Sequence, residues 1–536
     1  MLIVVAALAA SLHSGGHVIN VGGLNLLWRF MRAATSPALS LDMLSLAGSS
    51  ALTTVAFALC GSAISLVLGT IGGILSSEAW WEVLGLSSVR SNKRLAWCGR
   101  AVRLLCAGPR GVHELVWGLL LVNVLGLDPL VAVLAIGLPF GAITAKVFAE
   151  TLDEIPRRNV YCLRAAGAGA ISAFAYGVLP RALPLLLSYA LYRVECAIRS
   201  AAVLGLVGAG GLGYQVMLSL QSLRYEQVWT FLYALMFLVA LTDWGNSRIT
   251  LALRNRSATS TAELLKQTRQ VTIAAAVLGF AVVGCAIYLN LNAGRLFEAP
   301  RFALLQDIVR TSFPPRLPWS DVPQLVKLSL ETLAMSVLAV AMAAVPAIIA
   351  SWFSSTTFLT CPGVIRCPGL GGKLKRLAIG GMRGALIAIR GLSDGIWVLL
   401  VLFIFFPGMF AGAVALAIYN FGVIGRILSQ ANEAAEKRSF CVLRSQGASF
   451  TSALFYGLIP AMLPKYLAYI LYRWEVCLRA TVVVGIAGAG GLGARLEQQL
   501  ASFDYRGVTA TLMFFVGLTI VVDLISSSGR RALRLA

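Results

Sequence analysis

The chain has 536 residues, of which 58% are hydrophobic and 12% charged. Soluble domains carry roughly 25% charged residues, so a water-soluble enzyme or binding module is excluded as the body of this protein. Its net charge of +21 has the sign of a nucleic-acid binder, but no basic stripe interleaved with aromatics stands in a soluble module, and cations gathered in membrane-protein loops account for it. No nucleic-acid partner is expected.

Apolar stretches recur along the chain, and crossing a bilayer takes about 20 residues of helix. Such segments must be helical, because lipid offers no partner to backbone N–H and C=O groups. The expected fold class is all-α, a polytopic membrane protein of two tandem helical bundles with about six spans each. In the first half the spans fall near residues 1–12, 49–75, 104–126, 129–149, 182–205 and 228–248. In the second they fall near 272–289, 328–352, 386–406, 408–427, 462–485 and 508–526. Segment 1–12 is short beside its counterpart at 272–289, and reads either as a shortened first helix or as part of one that starts further upstream.

Lys and Arg cluster in loops 76–103, 249–271 and 353–385 and in the tail. With six spans per half all four lie on one side, which the positive-inside rule makes cytoplasmic. Loop 290–327 runs against the rule: it carries Arg295, Arg301, Arg310, Arg316 and Lys327 yet falls outside. The polar segment 249–271 reads as a cytoplasmic linker between a first repeat, 1–248, and a second, 272–536. An even number of spans per half makes the halves parallel, with their pseudo-twofold axis along the membrane normal.

The halves repeat each other in detail. Residues 164–213 and 444–493 are identical at 25 of 50 positions without a gap. The shared positions include Arg164, Gly167, Ala168, Tyr176 and Pro180, matched by Arg444, Gly447, Ala448, Tyr456 and Pro460. They continue through Arg193, Glu195 and Arg199, matched by Arg473, Glu475 and Arg479, to Gly208, Gly210, Gly211 and Gly213, matched by Gly488, Gly490, Gly491 and Gly493. Tandem duplication in an apolar chain points to pseudo-symmetric halves around one path, as transport proteins are commonly built.

The stretch from Gly167 to Pro180, and from Gly447 to Pro460, is a moderately polar segment between two spans. Its glycine lets another surface approach the backbone, and its proline ends one element and starts the next. Taken singly it is an ordinary helical hairpin; repeated in register it is a docking element. The Gly-x-Gly-x-x-Gly runs match a dinucleotide fingerprint in form, but they follow apolar helices and no βαβ unit surrounds them. They read as backbone turns at the outer end of the path, acting as a gate or an anion nest, or as sites of tight helix packing.

Charges inside spans are costly and face a partner or a watered cavity. Glu195 and Arg199 stand at i, i+4 and pair directly, as do Glu475 and Arg479, whereas Arg193 needs a partner on another helix. These arginines either line a path for an anion, since the guanidinium fork suits phosphate-like oxygens, or hold the bundle together. Arg110 with Glu114, echoed by Arg390 with Asp394, is expected to place base and acid on one helix face, each followed by a tryptophan, Trp117 or Trp397. That pairing either neutralises a buried arginine or turns it toward the path.

The duplicated segment resembles the coupling motif of ABC importer permeases, which reads roughly Glu-Ala-Ala-x-x-x-Gly and then Ile-x-Leu-Pro. The runs Tyr-Gly-Val-Leu-Pro-x-x-Leu-Pro, Leu-Tyr-Arg-x-Glu and Gly-Ala-Gly-Gly-Leu-Gly make the chain similar to phosphonate-type permeases, with two copies fused in tandem. The Glu-Ala pair is replaced by Tyr161-Cys162 and by Cys441-Val442. The resemblance implies a type I importer bundle in the cell inner membrane, carrying a phosphonate, phosphite, phosphate or related anion. It implies coupling through Gly167, Ala168, Pro180, Gly447, Ala448 and Pro460 to two copies of a cytoplasmic ABC ATPase, and delivery by a periplasmic or extracellular solute-binding protein. The chain has no Walker A run, so ATP would be bound by the partner and no cofactor by this chain. No metal set or nucleophile–base pair is visible, which leaves an ion-coupled secondary transporter or channel for small anions as the rival to a permease.

Overall fold

A computed structural model describes residues 20–85, 92–254, 276–292, 294–295, 298–356, 370–435 and 438–535. The regular elements are helices. The first stretch holds α1 (Val21–Ala33), α2 (Leu41–Ser76), α3 (Glu78–Gly85), α4 (Asn92–Gly111), α5 (Glu114–Leu125) and α6 (Pro129–Glu154). Then come α7 (Arg158–Ala165), α8 (Ala170–Gly177), α9 (Leu179–Leu204), α10 (Gly211–Gln221), α11 (Tyr225–Arg254) and α12 (Ala276–Tyr288). The remainder are α13 (Ala299–Ser312), α14 (Val322–Ser354), α15 (Leu370–Gly391), α16 (Asp394–Val401), α17 (Met409–Glu433), α18 (Arg438–Ser445), α19 (Phe450–Ala453), α20 (Ile459–Val484), α21 (Gly491–Ala501) and α22 (Tyr505–Leu535).

Among the described residues, seven helical segments are long and apolar enough to span a membrane, or nine if each sharply bent pair counts once. The protein is a multi-pass, all-α membrane protein. Eight expected spans coincide with α2, α6, α9, α11, α14, α17, α20 and α22. The span expected at 272–289 falls on α12; segment 1–12 and most of the linker, 255–275, lie outside the described residues.

The spans expected at 104–126 and 386–406 are corrected. Each is two helices: α4 and α5 part at Val112–His113, and α15 and α16 part at Leu392–Ser393 with an 89° bend. Arg110 and Arg390 therefore close one helix while Glu114 and Asp394 open the next, and the pairs do not share a helix face. Hydropathy averages across such a break, because the residues on both sides are apolar.

The chain packs as two compact units. One is Ser36–Val309; the other is Arg310–Ala536 with the described N-terminal residues 20–35. In the second unit α1 packs against the later half of the sequence, where the Asn20 amide donates to the Ile404 carbonyl at 2.8 Å and the Phe30 and Phe403 rings lie 6.2 Å apart. In the first unit α12 packs on α2, where the Tyr288 and Thr53 hydroxyls are 3.2 Å apart. Each unit thus takes up an opening segment of the other sequence half.

The core of the first unit is the pair α2 and α6. Gly61, Ser65, Gly69 and Gly73 recur every fourth residue on α2 and are buried. They face Gly137, Gly141 and Ala145, also four apart on α6. A Cβ at Gly61 would lie 2.9 Å from Ile136, and one at Gly73 would lie 2.7 Å from the Phe148 Cβ. Small residues at this spacing let backbones approach closely, which is how helices associate where lipid removes the hydrophobic drive between them. On α14 the ladder is Ala339, Ala343, Ala347 and Ser351, all buried.

Two clasps tie the ends of these helices. Arg103 Nε donates to the Ser76 carbonyl at 2.7 Å while its NH2 group meets Asp153 Oδ2 at 3.0 Å. In the other unit Arg383 Nε donates to the Ser354 carbonyl at 2.8 Å and its guanidinium pairs with Glu433. At the opposite end of α6, Asp128 caps the helix and binds Arg295 at 2.9 Å, with Arg301 at 3.8 Å. Two of the five cations in loop 290–327 that run against the positive-inside rule, Arg295 and Arg301, share this carboxylate partner.

Gly69→Leu should destabilise the protein by about 1–3 kcal/mol, the usual range for overpacking, because a Cβ there already sits 2.5 Å from Thr144 Cγ2. Gly245→Leu, where no atom lies within 4 Å, should leave stability unchanged. Thermal unfolding of the purified protein in detergent compares them, and equal midpoints would refute the ladder.

Candidate functional site

The repeated motifs build three levels along α9 and α20. At one end lie the Gly167 and Gly447 turns. Gly167 follows α7 with φ +86°, and Gly447 follows α18 with φ +89°. That backbone closes each helix: the Ala168 amide donates to the Leu163 carbonyl at 3.0 Å, and the Ala448 amide to the Leu443 carbonyl at 3.1 Å. It also favours glycine over any residue with a Cβ. Arg164 and Arg444 lock the turns by donating to the Ala168 and Ala448 carbonyls at 2.9 and 2.7 Å. Both glycines are exposed, and a Cβ on either would meet no atom within 4 Å. Tyr176 and Tyr456 stand beside them, 76% and 81% exposed. Pro180 and Pro460 occupy the first turns of α9 and α20, where a missing N–H costs nothing. In the first half α8 and α9 meet at 57°; in the second a π turn, Leu454–Leu458, joins α19 to α20.

At mid-helix are the charges. Arg193, Glu195 and Arg199 are buried, as are Arg473, Glu475 and Arg479. Glu195 pairs with Arg199 at 3.5 Å and accepts from the Asn246 amide at 3.4 Å. Glu475 pairs with Arg479 at 3.6 Å and Arg530 at 3.8 Å. The two remaining arginines are held differently. The Arg193 guanidinium carbon lies 3.6 Å from the Phe140 ring centroid. Arg473 Nε donates to Asn420 Oδ1 at 2.8 Å, and that amide also donates to the Leu416 carbonyl at 2.8 Å. Phe140 and Asn420 occupy matching places on α6 and α17. Sequence reasoning missed them because nothing in a span marks an aromatic or an amide as an arginine support.

Beside this level stand the broken helices. Glu114 opens α5 and accepts from the Ser200 hydroxyl of α9 at 2.5 Å. Acids at helix starts and arginines at helix ends suit the two dipoles that meet at each break. The tryptophans close the exposed carbonyls: Trp117 Nε1 donates to the Pro109 carbonyl at 3.4 Å, and Trp397 Nε1 to the Ile389 carbonyl at 3.0 Å. His113 Nδ1 accepts from the Leu115 amide at 3.2 Å.

The third level holds the glycine runs. Gly208, Gly210 and Gly211 have φ of +94°, +100° and +75°, and Gly488, Gly490 and Gly491 have +105°, +86° and +68°. Three left-handed residues in four turn the chain sharply from α9 into α10 and from α20 into α21. Packing is tight as well, since a Cβ at Gly211 would lie 2.6 Å from Thr54 Oγ1 and one at Gly491 2.7 Å from Thr332 Oγ1. Those hydroxyls accept from the Leu212 and Leu492 amides at 2.9 and 3.0 Å. The threonines were not singled out in the sequence; their signal is one repeated residue in a span otherwise poorly matched between the halves.

Residues 83–254 match the family described as binding-protein-dependent transport system inner membrane component. The chain is 24% identical over 425 residues to the phosphate-import permease protein PhnE of Mycolicibacterium smegmatis, covering 78% of this chain and 74% of that one. It is 36% identical over 107 residues to the putative cryptic phosphonate transport system permease protein PhnE2 of Escherichia coli K12, covering 20% of this chain and 88% of that one. It is also 36% identical over 141 residues to the phosphite transport system permease protein PtxC of Stutzerimonas stutzeri, covering 26% of this chain and 51% of that one.

Thr54→Val keeps the shape of the side chain and leaves the Leu212 amide buried without its acceptor, at a cost of about 1–3 kcal/mol. Thr54→Ser should retain most of the stability. The unfolding midpoint in detergent reports both, and a Val variant as stable as wild type would show that the hydroxyl does not hold the turn.

Proposed function

The chain belongs to the binding-protein-dependent inner-membrane transport permeases, and from that membership we propose that it carries a phosphorus oxyanion, whether phosphonate, phosphite or phosphate, while a separate subunit hydrolyses ATP. It is a permease of an ABC importer and works with an ATPase and a binding protein. In the proposed assembly two ATPase copies engage the chain, one at Gly167, Ala168 and Pro180 and one at Gly447, Ala448 and Pro460. Repeats 1–248 and 272–536, joined by 249–271, supply the two halves of a single path.

The observation that supports this most is the duplicated turn at one end of each bundle, with the same φ, the same internal lock and the same exposed glycine. A left-handed glycine with open space outside it is a place where another protein reaches the backbone. Further along the same helices, Arg193 and Arg473 present guanidinium groups suited to an oxyanion. Glu195 with Arg199, and Glu475 with Arg479, balance each other beside them, and Arg110 and Arg390 cap the broken helices. The turns at Gly208, Gly210 and Gly211, and at Gly488, Gly490 and Gly491, form the outer gate. ATP drives the cycle only by binding one arrangement of the assembly more tightly than the other.

The test uses the permease reconstituted with its ATPase and solute-binding protein. Phosphite, methylphosphonate and phosphate are offered in turn, and at least one should accumulate in an ATP-dependent manner. Gly167→Asn with Gly447→Asn keeps a residue that tolerates left-handed backbone but fills the space outside it. Uptake should fall roughly tenfold or more, the size of a lost interface hot spot, with normal insertion in the membrane. Undiminished uptake in the double variant would reject the docking assignment.

A further inference from the structure

Resting on the coupling assignment above, we propose that Glu82 is a positioning residue for transport: it braces the first coupling element to the end of α2, with a carboxylate that the sequence of the second half does not repeat. The motif position that carries a glutamate in the resembled family is Tyr161 here, on the exposed side of α7. Its hydroxyl donates to Glu82 Oε1 at 2.5 Å. Arg157, just ahead of α7, pairs with the other oxygen of the same carboxylate and lies 4.0 Å from Asp153. Two residues back on α3, the Trp80 ring meets Phe174 of α8 edge-on at 5.1 Å. Two side chains of α3 therefore fasten it to both helices that flank the Gly167 turn.

The start of α3 is fastened to the span helices. Ser77 Oγ and the Ala79 amide both donate to Asp153 Oδ1, at 2.8 and 2.9 Å. Asp153 lies at the end of α6, and Arg103 bridges it to Glu78 and to the Ser76 carbonyl at the end of α2. A single eight-residue helix thus joins the coupling element to the closely packed α2–α6 pair. A push on the Gly167 turn passes through Glu82 into α3, and from α3 through Asp153 into both spans.

The second half lacks the parts. Tyr161 is matched by Cys441, and no Asp or Glu occurs between Glu331 and Asp394, a stretch that includes the link from α14 to α15. Its clasp joins Arg383 to Glu433, and Glu433 also accepts from the Thr356 amide and hydroxyl at 3.2 and 3.0 Å, so the span ends are secured much as in the first half. On this proposal the two coupling elements are unequal, because the first is linked to its spans through a carboxylate that the sequence of the second half does not supply.

The experiment measures ATP hydrolysed and substrate accumulated by the reconstituted complex, using whichever of phosphite, methylphosphonate and phosphate the wild type takes up. Glu82→Ala should insert normally and bind the ATPase, yet move roughly fivefold less substrate per ATP, and Glu82→Gln roughly twofold less, the scale of one partly exposed charge set. Adding Tyr161→Phe to Glu82→Ala should cause no further loss, since partners in one contact are not additive. An unchanged ratio in Glu82→Ala, or a fully additive loss with Tyr161→Phe, overturns the brace. Gly447→Asn serves as the reference in the same preparation. If it abolishes uptake while Glu82→Ala is normal, the brace alone is wrong. If both transport normally, the docking assignment beneath it is wrong as well.

Discussion

Every backbone N–H and C=O inside a bilayer has to find its partner within the protein. Continuous helices meet that demand automatically, and among the described residues four departures from continuity stand at matched positions of the two halves. Two are the breaks between α4 and α5 and between α15 and α16; two are the glycine turns after α9 and α20. At each, a side chain from the protein itself answers an exposed backbone group: Trp117 and Trp397 for carbonyls, Thr54 and Thr332 for amides. The irregular backbone is therefore built and sealed rather than merely tolerated. The same economy appears in the charges, where Glu195 and Glu475 each have an arginine four residues away.

Sealing bears on the source of energy. Broken helices in secondary transporters offer their open ends to a coupling ion. Here the Pro109 and Ile389 carbonyls and the Glu114 carboxylate accept from tryptophan and serine side chains of the same chain. In the proposed function motion is imposed from outside, at the exposed glycine turns. Arg295 and Arg301, two of the cations in the loop that runs against the charge rule, are paired with Asp128.

Much of this was legible in the residues. The duplication, the eight unbroken spans and the turns at the in-register glycines followed from pattern, because glycine, proline and charge in an apolar chain are constrained by backbone and dielectric. The helix breaks were not legible: Val112–His113 and Leu392–Ser393 are flanked by hydrophobic residues, so the apolar run hides the change of direction. The exchanged opening segments were hidden too, since packing partners far apart in the chain leave no local trace. The ladder Gly61, Ser65, Gly69 and Gly73 was present as a four-residue period, but its meaning depends on which helix faces it. Phe140, Asn420 and Glu82 gain their roles only from what lies across from them.

The central claim is that this polypeptide holds a path but no motor. Purified without any ATPase and placed in liposomes, with proton and sodium gradients imposed in turn, it should concentrate none of phosphite, methylphosphonate or phosphate inside the vesicles. Sustained accumulation of any of them, driven by either gradient, would contradict the account.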